Sequence, residues 1–124
     1  SLDFVSNRPE GDSWEIRVRG SALSASYSSE EEIKRLPPVN LDRMQTEKVW
    51  RLIDELELST RKKGKKDEDD GFVTLVLREP GGEDGKSDIH TVYISRTSED
   101  EALEELALYL QDLIKRYHKV EPEF

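Results

Sequence analysis

The sequence SEDEALEELALYLQDLIKRYHKV, at residues 98–120, decides the fold because it predicts an amphipathic helix. Its apolar residues recur at steps of three and four, which places them on one stripe of an α-helix. The stripe comprises Leu103, Leu106, Leu110, Leu113, Ile114 and Tyr117. Ser98 and Glu101 have the spacing of a capping box at the helix start. Such a helix needs an apolar partner surface, which the rest of the chain must supply.

Residues 14–27 predict one part of that surface, a β-hairpin. Apolar residues alternate with polar ones on both sides of Gly20-Ser21, as in half-buried strands. A two-residue loop at Gly20-Ser21 is typical of a type II′ turn, in which glycine takes the positive φ. The resulting cross-strand pairs are Val18 with Leu23, Ile16 with Ala25 and Trp14 with Tyr27. A register shifted by one residue would mix the two faces.

A second helix and a second hairpin are predicted further along the chain. Val49, Leu52, Ile53 and Leu56 have helical spacing, with Asp42 or Thr46 as N-cap and an end near Leu58. Residues 71–79 and 89–96 alternate as strands and are joined by a glycine-rich loop. Residues 28–40, which contain Pro37-Pro38, predict a connector, and residues 59–70 predict a solvated loop.

These elements predict an α+β fold in the order ββαββα. Two hairpins form a four-stranded, mainly antiparallel sheet, and two helices pack on one of its faces. Residues 1–12 are expected to be a flexible N-terminal tail, residues 13–120 a single α+β domain, and residues 121–124 a C-terminal tail. The order resembles that of emfourin-type inhibitors of metalloproteases, and the size and acidity resemble type III secretion chaperones. Neither resemblance covers a motif or carries over a residue.

Composition excludes several classes of function. The 124 residues carry a formal net charge of -9, which disfavours nucleic acid and anionic membranes as partners. Solubility or a basic partner explains this acidity. The chain has no cysteine, so disulfides and thiolate chemistry are excluded. The lack of cysteine suits the cytosol, so we slightly favour a cytoplasmic location and leave the compartment open.

The sequence carries no recognisable catalytic or metal-binding motif, and we expect no catalytic residue, no metal and no cofactor. His90 lies in a predicted strand with no acid at a spacing that would orient it, and His118 lies in the last turn of a helix. Acidic residues cluster in two loops, without the spacing of a calcium-binding loop. These residues are Asp67, Asp69 and Asp70 in the first loop and Glu83, Asp84 and Asp88 in the second.

The second hairpin carries the strongest functional signal, because its second face is not fully polar. Phe72, Val76, Ile89 and Tyr93 are predicted to form an apolar patch on the side of the sheet away from the helices, and such patches often mark interfaces. Two alternatives stay open: Leu2, Phe4 and Val5 cover this patch, or the faces of the hairpin are assigned wrongly.

The sequence therefore predicts a non-catalytic protein–protein interaction domain, such as an adaptor, inhibitor or chaperone-like accessory protein. Its partner is another protein or a second copy. Two alternatives stay open: a cation-dependent or carboxylate-based enzyme subunit, and a structural domain of a longer polypeptide.

Overall fold

The structure, a computed structural model, describes residues 1–11, 13–28, 32–80 and 88–124. Within these ranges, six strands and two helices follow one another in the order ββββαββα. The strands are β1 (Leu2–Asn7), β2 (Ser13–Arg19), β3 (Ala22–Ser28), β4 (Ile33–Asn40), β5 (Phe72–Glu79) and β6 (Asp88–Ser95). The helices are α1 (Arg43–Glu55), which follows β4, and α2 (Glu101–His118), which follows β6.

All six strands form one antiparallel sheet in the order β4-β3-β2-β1-β5-β6. The predicted α+β class with two helices and an antiparallel sheet is confirmed. The prediction of four strands in the order ββαββα was wrong, because two further strands precede α1. The resemblance to emfourin-type inhibitors rested on that order and therefore loses its basis.

Strand β1 overturns the prediction that residues 1–12 form a flexible tail. It lies in the middle of the sheet, where Phe4 pairs with Ile16 on one side and with Leu75 on the other. Leu2 and Phe4 are fully buried in the core. The first residues of the chain therefore join the two predicted hairpins into a single sheet.

Strand β4 overturns the prediction of an irregular connector at residues 28–40. It pairs with β3 along the outer edge of the sheet, and the register shifts between Leu23 and Ala25, opposite Pro37-Pro38. Proline has no backbone N–H, so it is tolerated on edge strands and at bulges. The two prolines therefore mark a bulged edge rather than the absence of a strand.

The first hairpin has the predicted register, and the second has the predicted inner face. Val18 pairs with Leu23, Ile16 with Ala25 and Trp14 with Tyr27, and the rings of Trp14 and Tyr27 stack with centroids 4.6 Å apart. In the second hairpin, two pairs of buried residues lie opposite each other, Val73 with Ile94 and Leu75 with Val92. The alternation of apolar residues was therefore sufficient to fix these faces.

The helices begin where acidic side chains cap them. Asp42 accepts a hydrogen bond from the backbone N–H of Gln45, whose side chain accepts one from the N–H of Asp42, so the two form a capping box. In α2 the cap is Asp100, not Ser98 as the capping-box spacing predicts. The N–H of Ser98 instead closes a turn on Ser95, so the helix begins only at Glu101.

One core joins the helices to one face of the sheet. Leu103, Leu106, Leu110, Leu113 and Ile114 of α2 are buried there, as predicted, together with residues of α1 and of the inner strands. Residues 121–124 were predicted to be a tail, but they fold back onto this core. The ring of Phe124 lies 4.9 Å from that of Phe4, and the carbonyl oxygen of Pro122 accepts a hydrogen bond from Gln111.

Candidate functional site

The candidate site lies on the face of the sheet opposite the helices, which we call the open face. Alternate residues of each strand point to it, and the strand register shows which ones these are. In β5 and β6, Phe72 lies opposite Ser95, Thr74 opposite Tyr93, Val76 opposite Thr91, and Arg78 opposite Ile89. The four residues predicted to form a patch therefore all belong to this one face.

Phe72, Val76, Ile89 and Tyr93 form what we call the sheet patch. The rings of Phe72 and Tyr93 meet edge to face with centroids 6.0 Å apart, an arrangement that aromatic pairs favour. Ile89 is the most exposed of the four, at 59%, and the other three are half-buried. The sheet patch is therefore brought together as predicted, with an exposed aliphatic side chain at its outer end.

The first strand does not cover the sheet patch. Leu2 and Phe4 point into the core on the opposite face, and Val5 lies beside Thr74 within the open face. The alternative in which the N-terminal residues shield the patch therefore does not describe this fold. Instead, β1 extends the open face towards β2.

A charged cluster borders the sheet patch on the side of β1. Asp3 is buried and accepts hydrogen bonds from Arg17 over 2.8 Å and from Arg78 over 2.6 Å. Burial alone would raise the pKa of Asp3, but the hydrogen bonds from Arg78 and Arg17 outweigh it, so the pKa lies below its ordinary value. This cluster ties β1 to both neighbouring strands and fixes Arg78 beside the patch.

The segment between α1 and β5 supplies a feature of the site that sequence reasoning missed. The backbone N–H of Tyr93 donates to the carbonyl oxygen of Lys63 over 2.7 Å, so this segment lies along the outer edge of β6. The Nζ atoms of Lys63 and Lys66 lie 5.8 and 5.3 Å from the centroid of the Tyr93 ring. Gly64, at φ 76°, makes this close approach possible.

The ammonium groups next to Tyr93 are not paired with a carboxylate in the described part of the chain. Neither Lys63 nor Lys66 forms an ion pair with a residue in residues 1–11, 13–28, 32–80 and 88–124. Their nearest acid in sequence, Asp67, accepts a hydrogen bond from Ser95, which lowers the pKa of Asp67. The only sequence signal for this arrangement was the glycine within the basic run.

The residues considered for chemistry do not assemble into a site. His90 Nε2 lies 4.0 Å from Glu79 on the neighbouring strand, which is too long for a hydrogen bond. His118 ends α2. Glu83 and Asp84 lie outside the described residues. Among the residues that the structure describes, no group of three or more His, Asp or Glu side chains is placed to hold a metal ion.

Comparison with protein-family models and with curated protein sequences finds no match. Neither helix in the described ranges is long and apolar enough to cross a membrane. Inference about function therefore depends on the geometry of the open face and of the helix layer.

Proposed function

We propose that this protein is a non-catalytic interaction domain that binds another protein through the open face of its sheet. The observation that carries the proposal is the sheet patch, in which Phe72, Val76, Ile89 and Tyr93 lie together on the face without helices. Apolar side chains gathered on a solvated face cost solvation free energy, which a bound partner recovers.

The centre of the contact is Tyr93. Tyrosine and arginine are enriched among the residues that dominate binding energies, because they combine a large contact area with polar groups. Phe72 supports the Tyr93 ring from the side, and Arg78 is held next to the patch by Asp3. These side chains are thus largely preorganised, which reduces the entropy lost on binding.

The partner segment combines apolar side chains with carboxylates. Lys63 and Lys66 hold their ammonium groups close to the Tyr93 ring, where carboxylates of a bound segment can reach them. The formal net charge of -9 belongs to the whole chain. At physiological salt, charges act over a Debye length of about 8 Å, so these two lysines weigh more at the Tyr93 ring than acids elsewhere on the chain. The carboxylate of Asp67, which follows Lys66, is held by the hydroxyl group of Ser95.

The geometry of the described histidines and acids favours a binding role over an enzymatic one. A general base needs an orienting partner at hydrogen-bond distance, and the 4.0 Å separation of His90 and Glu79 does not provide it. The carboxylate of Asp67 has a structural role, because it accepts hydrogen bonds from the N–H of Asp70 and from the hydroxyl group of Ser95.

Photocrosslinking tests the proposal directly. We would place a photoreactive amino acid at Val76 or Ile89 on the sheet patch, and at Ile33 or Glu104 as controls. Ile33 is an exposed isoleucine on the opposite edge of the same sheet, and Glu104 lies in the helix layer. Irradiation in extracts of the source cells is followed by mass spectrometry of the adducts.

We expect one protein to be linked from both patch positions and from neither control position. The linked peptide should contain apolar residues next to Asp or Glu, and the purified partner should bind with the same crosslinks. Adducts that arise equally from Ile33 and Glu104, or a linked peptide rich in Lys and Arg, would contradict the proposal. A crosslink to nucleic acid would contradict it too.

A further inference from the structure

A groove runs along the outer surface of the helix layer, far from the open face. Helices α1 and α2 lie antiparallel, as two contacts show. Tyr117 near the end of α2 donates a hydrogen bond to Gln45 near the start of α1. Arg61, which follows α1, donates one to Asp100 at the start of α2. The space between them measures about 770 Å³. Residues of both helices line it: Asp42, Met44, Gln45, Lys48, Arg51, Leu52, Glu105, Leu108, Tyr109, Asp112 and Arg116.

Two large apolar side chains in this groove are left in solvent. Met44 of α1 is 80% exposed and Leu108 of α2 is 66% exposed. Leu52 is buried beneath them, and the half-buried Tyr109 ring lies 4.5 Å from the ammonium nitrogen of Lys48. The groove thus has an apolar floor, and each wall carries an apolar side chain that gains from burial.

The charged residues of the two walls are arranged in a complementary way. Because the helices are antiparallel, Asp42 at the start of α1 lies near the level of Arg116 on α2, and Lys48 lies near the level of Asp112. Arg51 lies between the levels of Asp112 and Glu105. Along the groove, therefore, one wall is acidic where the other is basic.

These opposite charges are not joined across the groove. Among the residues that the structure describes, no ion pair connects an α1 residue with an α2 residue, and Asp112 instead lies 3.5 Å from Arg116 on its own helix. Lys48 lies over the Tyr109 ring rather than beside a carboxylate, so the charges of the two walls do not neutralise one another. A partner with the same order of charges, turned to face the groove, can pair with the charges of both walls.

We propose that this partner is a second copy of the chain, and that the helix layers of two copies form a symmetric dimer. A twofold axis that runs along the groove places α1 of each copy over α2 of the other at the same level. Lys48 of each copy then faces Asp112 of the other, while Asp42 lies near Arg116. An isologous interface requires such self-complementarity, and this groove has it.

The size of the helix layer limits the surface area that this dimer can bury. Helix α2 has 18 residues, so it is about 27 Å long, and two helices of about 10 Å diameter give a face about 20 Å wide. Two such faces bury roughly 1,000 Å² in total, which is near the lower limit for a specific interface. The dimer is therefore reversible, and it leaves the open face free for the proposed partner.

A charge-swap experiment tests this geometry. In a homodimer, Lys48→Glu sets a carboxylate opposite Asp112, and Asp112→Lys sets an ammonium group opposite Lys48, so each variant repels its own copy twice. An equimolar mixture of the two variants forms a heterodimer with two contacts. In one contact the introduced Glu at position 48 faces the introduced Lys at position 112, and in the other the native Lys48 faces the native Asp112. Sedimentation velocity across a wide concentration range measures the dissociation constants of wild type, each variant and the mixture.

We expect the wild-type chain to dimerise, each variant to weaken the dimer by about tenfold or more, and the mixture to recover most of the loss. As matched controls, Lys34→Glu and Glu10→Lys change the net charge equally outside the groove and should leave dimerisation unchanged. Circular dichroism confirms that each variant is folded.

A wild-type chain that stays monomeric at the highest concentration would overturn the proposal. A dimer that both variants leave intact, a mixture that fails to recover, or controls that weaken the dimer as much would overturn it too. Ile89→Asp on the open face should leave the dimer unchanged, so this test is independent of the proposed protein-binding role.

Discussion

The backbone N–H of Tyr93 donates a hydrogen bond to the carbonyl oxygen of Lys63 over 2.7 Å, across the outer edge of β6. This contact has two consequences. It satisfies a donor on an edge strand, which would otherwise be open to pairing with another chain. It also places two lysine side chains beside the aromatic part of the sheet patch. One backbone hydrogen bond therefore connects the shape of the edge with the charge of the proposed binding face.

Substitution of Gly64 should release this segment from β6. A Cβ atom at Gly64 would lie 2.3 Å from the carbonyl oxygen of Tyr93, and φ is +76°. Gly64→Ala is therefore expected to increase amide hydrogen exchange at Tyr93 by about tenfold or more, because its hydrogen bond to Lys63 is lost.

The matched control for this prediction is Gly20→Ala. Gly20 also has a positive φ, but a Cβ atom there meets nothing within 4 Å. Gly20→Ala should leave exchange at Tyr93 unchanged and cost only about 1 kcal/mol of unfolding free energy. Equal exchange at Tyr93 in both variants would show that the segment does not depend on the close approach at Gly64.

The cluster of Asp3, Arg17 and Arg78 should make stability depend on acid pH. The pKa of Asp3 is lowered in the folded chain from its ordinary value of 3.8. The stabilisation is thus fully present above about pH 4 and is lost as the pH falls through the lowered pKa. We expect Asp3→Asn to reduce the unfolding free energy by about 1–3 kcal/mol at pH 7, and by clearly less at about pH 2.5, where the carboxylate contributes less.

Urea denaturation at the two pH values measures this difference. Asp54→Asn, at an exposed position of α1, is the control and should change the unfolding free energy by less than about 0.5 kcal/mol. An equal loss at both pH values for Asp3→Asn would mean that the charge of Asp3 is not what stabilises the sheet.

Truncation of two leucines of α2, which lie two positions apart, should reduce the unfolding free energy by very different amounts. Leu110 is fully buried, whereas Leu108 is 66% exposed. Leu110→Ala is expected to cost about 2–5 kcal/mol of unfolding free energy because it leaves a cavity in the core. Leu108→Ala should cost less than about 0.5 kcal/mol. Chemical denaturation of dilute samples measures both, and similar costs would contradict the orientation of α2.

Elements in which apolar residues recur with a strong periodicity could be predicted from the sequence. The alternation around Gly20-Ser21 predicted the register of β2 and β3, and the helical spacing predicted the buried stripe of α2. In both cases a single physical requirement, the burial of one face, determines the pattern. The stripe does not need information from distant parts of the chain.

The central strand β1 and the edge strand β4 could not be predicted from the sequence, for two different reasons. In β1, Ser6 is buried while Val5 is on the open face, so the contrast between the two faces is weak. Asp3 is buried because Arg17 and Arg78 come from two other strands, and local sequence does not show that. In β4, Pro37-Pro38 resembles a strand breaker, and only its position at a bulged edge reconciles it with a strand.

The candidate site was predicted in part. Alternation placed Phe72, Val76, Ile89 and Tyr93 on one face, and the register brings them together there. The lysines next to Tyr93 were not predicted, because their position depends on a segment that is distant from β6 in sequence and reaches its outer edge only in the folded chain. The role of the patch in binding stays a prediction.

The most direct measurement is the affinity of the crosslinked partner for two matched isoleucine variants. Ile89→Asp alters the sheet patch, and Ile33→Asp alters an isoleucine that is 72% exposed on β4. The two strands lie at opposite edges of the sheet, about 24 Å apart at the usual strand spacing. Isothermal titration gives both dissociation constants, and circular dichroism verifies folding.

We predict that Ile89→Asp raises the dissociation constant by about tenfold or more, since it buries an unpaired carboxylate in the contact, whereas Ile33→Asp leaves the constant within about twofold of wild type. Equal affinities for both variants and the wild-type chain would contradict the assignment of the sheet patch as the binding surface.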